Sequence, residues 1–154
     1  MSEESSRIAL LNVNVLVALF DGAHTHHEVA HEWFAEQRES GWATCPLTEN
    51  GLVRVLSNPA YPGRRTTLRD AITRLAAFRT SGNHSFWPDE ISLCEDERFD
   101  STHIAGHRQL TDVYLLGQAV SRRGCLATFD GRMHLGSVRG ARPEHLLLIG
   151  NPTT

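Results

Sequence analysis

Five residues carry the chemistry open to this chain. Asn12 and Asn14 interrupt the apolar run LLNVNVLVALF (10 to 20), Glu49 follows WATCP, Asp112 opens TDVYLLGQAV, and Asp130 closes CLATFD. A side-chain amide taken out of water without a partner costs roughly 1–3 kcal/mol, so amides near the start of a core segment call for a compensating role. Carboxylates gathered beside them repel one another, and a divalent cation relieves that repulsion. Oxygen ligands without thiolate or imidazole select hard ions, Mg2+ or Mn2+. Such an ion makes water a usable nucleophile near neutral pH and offsets charge developing on a phosphate, so phosphodiester hydrolysis is the reaction the set suits. The same residues also admit a purely structural reading. Glu49 and Asp112 favour helix N-termini, where a negative charge contributes ~0.3–1 kcal/mol, and Asp130 begins a DG turn.

A second constellation competes. Residues 27 to 31 read HEVAH, the pattern in which two histidines one helical turn apart bind zinc and the glutamate acts as general base, so His27, Glu28 and His31 define a zinc-peptidase alternative. Its context is poor. Glu28 forms an expected capping box with Thr25, and the pattern occupies a first helical turn with little chain before it. Surface histidines are the favoured reading.

The elements that must position these residues alternate along the chain. Strand-like segments run from 7 to 13, 41 to 46, 84 to 89, 125 to 130 and 145 to 150, each short and bounded by Gly, Pro, Asp or Asn. Helical patterns fill the gaps. THHEVAHEWFAEQRES opens at Thr25, TENGLVRVLSN takes Thr48 as its cap and stops at Pro59, TTLRDAITRLAAFRTSG turns Leu68, Ile72, Leu75 and Phe78 to one side, and TDVYLLGQAVSRRG buries Leu115, Leu116, Ala119 and Val120. The alternation predicts a three-layer α/β/α domain spanning 1–154 around a mainly parallel sheet. In such a sheet reactive groups collect beyond the carboxyl ends of the strands, where Asn12, Glu49, Asp112 and Asp130 all fall.

Composition narrows the setting. Cys45, Cys94 and Cys125 are odd in number, widely spaced and without a CxxC pattern, which argues against a disulfide framework or zinc ribbon and fits a reducing cytoplasm. The start MSEESSR is polar and acidic, and no apolar run approaches the ~20 residues needed to cross a bilayer, so neither secretion nor a membrane span is expected. Net charge is −3, but it is unevenly spread, and all 15 basic residues are arginines. The planar guanidinium fork suits phosphate, so local patches can hold a nucleic-acid backbone that the total charge does not attract. Arg108, Arg122, Arg123 and Arg132 flank the candidate acids. Genome-wide preference for arginine is the plain alternative.

The runs LLNVNVLVALF, HHEVAHEWF, GWATCPLTENGLVRVLSNP and HRQLTDVYLLGQAVSRRGCLATFDGRM, in that order, resemble the PIN-domain ribonucleases, in particular the VapC toxins of toxin–antitoxin pairs. The resemblance covers nearly the whole chain. It implies a parallel α/β sandwich, RNA cleavage with Mg2+ or Mn2+, a homodimer, and neutralisation by a VapB-like antitoxin. It also implies four acidic positions, which fall on Asn12, Glu49, Asp112 and Asp130. Only three are acids here. The VapC opening reads Asp, then Val or Thr, then Asn, so Asn14 fits and Asn12 departs. Asparagine keeps the shape of aspartate and a carbonyl oxygen able to ligate, but loses the charge. A unit charge about 4 Å from a dication is worth ~8 kcal/mol at an effective dielectric of 20, before desolvation. Even a quarter of that weakens metal binding more than tenfold, so the chain as written is expected to be an inactive or much weakened nuclease. A catalytically silent module that binds RNA or antitoxin is the alternative class.

Overall fold

The apolar run that opens the chain breaks at its first asparagine. The computed structural model, which describes residues 7–63 and 65–150, places a short buried strand β1 at Ala9–Leu11 and a helix α1 at Val13–Phe20. Between them Asn12 is extended (φ −65°, ψ 160°), and its side-chain oxygen accepts the Val13 N–H at 2.7 Å. That bond satisfies one of the backbone donors a helix start leaves unpaired, which is why the chain turns there. The strand expected over 7 to 13 therefore ends short of Asn12, and Asn14 lies inside a helix that the sequence reading did not anticipate. The reason is plain in its burial. Every residue from Val15 to Phe20 is buried, so α1 has no polar face to reveal a 3.6-residue period.

The remaining elements follow the expected alternation, with shifted starts. Helix α2 spans His27–Ser40 with His26 at its cap and no side-chain capping bond, so the Thr25–Glu28 box does not form. Strand β2 is Trp42–Thr44. Helix α3, Pro46–Ser57, starts two residues earlier than expected because Pro46 fits the first helical position. Thr48, expected as the cap, instead closes a reciprocal pair with Cys45, accepting the Cys45 N–H at 3.0 Å. Helix α4 is Leu68–Phe78, capped by Thr67. Strand β3 is His84–Phe86, helix α5 is Leu110–Ser121, strand β4 is Cys125–Thr128 and strand β5 is Leu146–Leu148.

All pairings are parallel, in the order β3-β2-β1-β4-β5. Alternate strand residues face opposite layers. Ala9, Leu11 and Trp42 pack with α1 to α4, whereas Leu10, Ala43 and Leu126 pack against Val113, Leu115 and Leu116 of α5. The result is the three-layer sandwich the sequence implies. Because β1 and β4 sit side by side at the centre, with Leu11 opposite Ala127, the residues just beyond their ends converge.

Two expectations about surfaces change. On α4 the buried residues are Ala71 and Leu75, while Leu68 and Ile72 stand 61% and 55% exposed. The acidic segment 95 to 100 buries Phe99, bridges Val138 and is held by Arg139 on Asp96 and Asp100. On α5 the buried set shifts to Val113 and Gln118 in place of Val120, which is partly exposed. Trp42 and Trp87 are buried and Trp33 packs partly against the core. No helix among the described residues is long and apolar enough to cross a membrane. Residues 1–6, on which the expectation of no secretory leader rests, lie outside those described.

Helix α5 is seated by a glycine. A Cβ at Gly117 would lie 2.5 Å from the Phe99 ring and 3.2 Å from Ile91, so the helix approaches the 91 to 99 loop as closely as a bare backbone allows. Gly117→Ala should therefore overpack this contact and destabilise the fold by about 1–3 kcal/mol. The check is urea unfolding, where the midpoint falls with little change of slope.

Candidate functional site

The sheet's carboxyl edge gathers four of the residues in question around one hydroxyl. Thr128, the last residue of β4, is fully buried. Its Oγ1 lies 3.2 Å from Asn12 Nδ2, 3.2 Å from Asn14 Nδ2 and 3.2 Å from the backbone N–H of Asp130. Asn12 Nδ2 also donates to Asp112 Oδ1 at 3.1 Å. Asp112 arrives in the first turn of α5, which runs opposite to the strands and so starts at this edge. Separate stretches of chain are thus tied together, with Thr128 at the centre. Thr128 was not among the residues singled out from the sequence. The available signal was a polar side chain closing an apolar strand two positions before an aspartate.

The orientation of the Asn12 amide is not arbitrary. Its oxygen is claimed by the Val13 N–H, a donor that can only face an acceptor, so the NH2 group must point at Asp112 and Thr128. Position 12 therefore presents hydrogens to the site, and the carbonyl that sequence reasoning offered as a ligand is used as a helix cap.

Asp112 and Asp130 feel one another. Burial pushes the Asp112 carboxyl above the usual range, the Asn12 hydrogen bond pulls it back, and the charge of Asp130 raises it further. Asp130 is held below the usual range by Arg132, whose Nε reaches Oδ1 at 3.0 Å and whose Nη2 reaches Oδ2 at 3.2 Å. That side chain is 86% exposed, so the pair is weak and screened. Nearby, Asn14 Oδ1 is buried without a hydrogen-bond partner.

Glu49 stands on the same edge but on other partners. Its Oε2 accepts the Thr44 hydroxyl at 2.6 Å and lies 3.3 Å from Arg79 Nη1. Thr44 has one hydroxyl hydrogen and gives it to Glu49, so the 2.8 Å contact with His84 Nε2 has the imidazole as donor. Burial and the Arg79 charge lower the His84 pKa to about 4, keeping it neutral. Among the described residues no three of His, Cys, Asp and Glu lie close enough to hold one ion. The structure thus brings Asn12, Asp112 and Asp130 together and keeps Glu49 latched beside them.

The other candidates separate. Arg122 pairs with Glu90 and lies over Trp87, and both Arg122 and Arg123 lie at the far end of α5, about 15 Å from Asp112 at 1.5 Å per residue. They are removed from the candidate phosphate contacts. Arg108 precedes α5 on the site's side and Arg132 pairs with Asp130. In the HEVAH pattern His27 Nδ1 bonds the Ala18 carbonyl at 2.7 Å, its ring centroid lies 4.4 Å from that of His31, and Glu28 is exposed.

Comparison with known proteins bears on the family and the fold. A family model for the PIN domain matches residues 9–135. Ribonuclease VapC44 of Mycobacterium tuberculosis is 42% identical over 141 residues, covering 92% of this chain and 99% of the relative. Ribonuclease VapC38 of the same organism is 45% identical over 143 residues, with the same coverage. The crystal structure of Mycobacterium tuberculosis VapC20, described as a sarcin-ricin loop cleaving toxin, superposes with a TM-score of 0.59 at 16% identity over 80% of this chain and 91% of that one, a likeness of fold. With its parallel sheet, its acids at the carboxyl edge and this extent of similarity to VapC ribonucleases, the chain belongs to the PIN-domain family.

Proposed function

We propose that this chain is a VapC-type endoribonuclease whose hydrolytic site is weakened at residue 12. The observation that carries the reading is the convergence of Asn12, Asp112 and Asp130 on Thr128 at one sheet edge, with Glu49 beside them. The donor set suits a hard dication. Asp112 and Asp130 would supply carboxylate oxygens, and Glu49, paired with Arg79 outside their reach, would complete the set on release from that arginine. Asn12 does not fit, because its NH2 group faces the site. Bound Mg2+ or Mn2+ supplies water activation and charge neutralisation at the scissile phosphate.

The chain's own residues do the rest. Thr128 fixes the backbone of Asp130 and both asparagine amides, so the edge keeps its shape. Asp112 Oδ1 accepts from Asn12 Nδ2, which fixes the direction in which this carboxyl group meets the site. Arg108 stands on the approach to this edge and offers a guanidinium to RNA phosphate. The exposed Leu68 and Ile72 of α4 give an apolar strip of the kind a second copy or a VapB-like antitoxin covers, so a homodimer and an antitoxin complex belong to the same reading. A catalytically silent RNA- or antitoxin-binding module is the second reading. It is favoured by the Asn12 amide, which satisfies Asp112 without any ion.

Asn12→Asp should raise cleavage of RNA in Mg2+ or Mn2+ at least about tenfold, since a restored charge beside a dication is worth several kcal/mol before desolvation. Equal rates for the two chains refute the weakened-nuclease reading. RNA binding that falls with salt, and no cleavage even after Asn12→Asp, select the silent module.

The same substitution has an opposite effect on the free protein. It removes the donor that lowers Asp112 and adds a like charge, so without a cation Asn12→Asp is expected to lose about 1–3 kcal/mol near pH 7. The sign follows from the raised folded pKa of Asp112. The folded state holds the proton more tightly than the unfolded state, so the penalty is absent below the usual carboxylate pKa and grows as pH rises through the raised one. Urea unfolding of both chains at acid and neutral pH checks this, and added Mn2+ should narrow the gap at neutral pH.

A further inference from the structure

Arg79 and Phe86 occupy the flank of the edge that the mechanism leaves unused. Arg79 is the residue that ends α4, and Phe86 closes the edge strand β3, 42% exposed. The guanidinium carbon of Arg79 lies 5.1 Å from the centre of the Phe86 ring, while its Nη1 lies 3.3 Å from Glu49 Oε2. Glu49 is only 17% exposed, and Arg79 is 38% exposed. One arginine therefore joins an exposed aromatic face to the one candidate carboxylate that does not reach the Asp112 cluster.

We infer that Arg79 and Phe86 form the seat for one nucleotide of single-stranded RNA, and that Arg79 leaves Glu49 for the RNA phosphate, freeing Glu49 for the cation. The inference rests on the nuclease reading above. Its chemistry is a competition between two anions for one guanidinium. Water reaches Arg79 more than it reaches Glu49, so the guanidinium is the partner that can be drawn away to a phosphodiester. A phosphodiester can offer the guanidinium fork two oxygens, where Glu49 meets it through Oε2 at 3.3 Å. The Phe86 ring gives the adjoining base a stacking face that accepts any sequence. Thr44 stays on Glu49 throughout, so the carboxylate keeps a donor and only its ionic partner changes. Arg79 is thus a binding and positioning residue, coupling substrate arrival to completion of the ligand set.

The test measures metal and RNA separately. Mn2+ binding without RNA is followed by the electron paramagnetic resonance of the free ion, in the Asn12→Asp chain with and without Arg79→Ala. Binding of a short fluorescent single-stranded RNA in EDTA is followed by anisotropy, in the chain as written, with Arg79→Ala, Arg79→Lys and Phe86→Ala. Removing Arg79 should tighten Mn2+ binding about threefold or more, because a competing cation is lost, and weaken RNA binding about fivefold or more. Arg79→Lys should keep part of the RNA affinity. Phe86→Ala should weaken RNA binding about tenfold and leave Mn2+ unchanged. Opposite movements of the two affinities cannot arise from a simple loss of structure, which weakens both. Unchanged or weakened Mn2+ binding in Arg79→Ala overturns the latch, and unchanged RNA binding in Arg79→Ala and Phe86→Ala overturns the seat and marks the pair as a protein contact. Glu49→Gln and Asp112→Asn are measured alongside. Mn2+ binding that ignores them refutes the nuclease reading itself, whereas sensitivity to them with no effect of Arg79 refutes the latch alone.

Discussion

The arrangement depends on how neighbouring carboxylates at one sheet edge are kept from destabilising each other. Two solutions exist for such a group, a shared dication or a separate donor for each acid. This chain has the second in place. Asn12 donates to Asp112, Arg132 grips Asp130, and Thr44 with Arg79 holds Glu49. The contact made by Asn12, which is 5% exposed, is the one an aspartate at that position could not make. The other two acids also lean on arginines, Arg132 open to water and Arg79 partly so, and these are the pairs that can exchange. The edge is therefore firm at Asn12 and Thr128 and exchangeable at its flanks.

Firmness and exchange are set by the fold. Adjacent parallel strands β1 and β4 place residues 12 and 128 to 130 side by side, and α5 returns its first turn to the same edge. Both Asn12 and Thr128 hold main-chain groups, the Val13 N–H and the Asp130 N–H, so their side chains cannot turn without unpairing the backbone. Arg79 and Arg132 have no such obligation. Their long side chains reach in from the end of α4 and from the loop after β4, where water already competes for them.

Much of this was legible in the sequence, for reasons that differ by element. The strands were visible as short apolar runs between breakers, and the four positions at the carboxyl edge followed from where those runs end and from the family resemblance. Helix α1 was not, because a helix buried on all sides carries no amphipathic period. Leu68 and Ile72 have the spacing of a core face, and only the packing of α4 through Ala71 and Leu75 turns them outward. The direction of the Asn12 amide was hidden for a subtler reason. A sequence shows that residue 12 has both a carbonyl and an NH2 group, but the Val13 N–H decides which one the site receives. Likewise nothing local to Glu49 announces Arg79, thirty residues on, as its partner.

The most direct test places an ion at the edge and asks what residue 12 does to it. Crystals of the chain as written and of Asn12→Asp, grown in the same Mn2+ concentration, can be measured at the manganese absorption edge. The account predicts an anomalous peak beside Asp112 and Asp130 in Asn12→Asp, and, in the chain as written, a weak or missing peak with the Asn12 amide still on Asp112. A peak of equal height in both would contradict it, since an amide that presents its hydrogens would then be no obstacle to the cation.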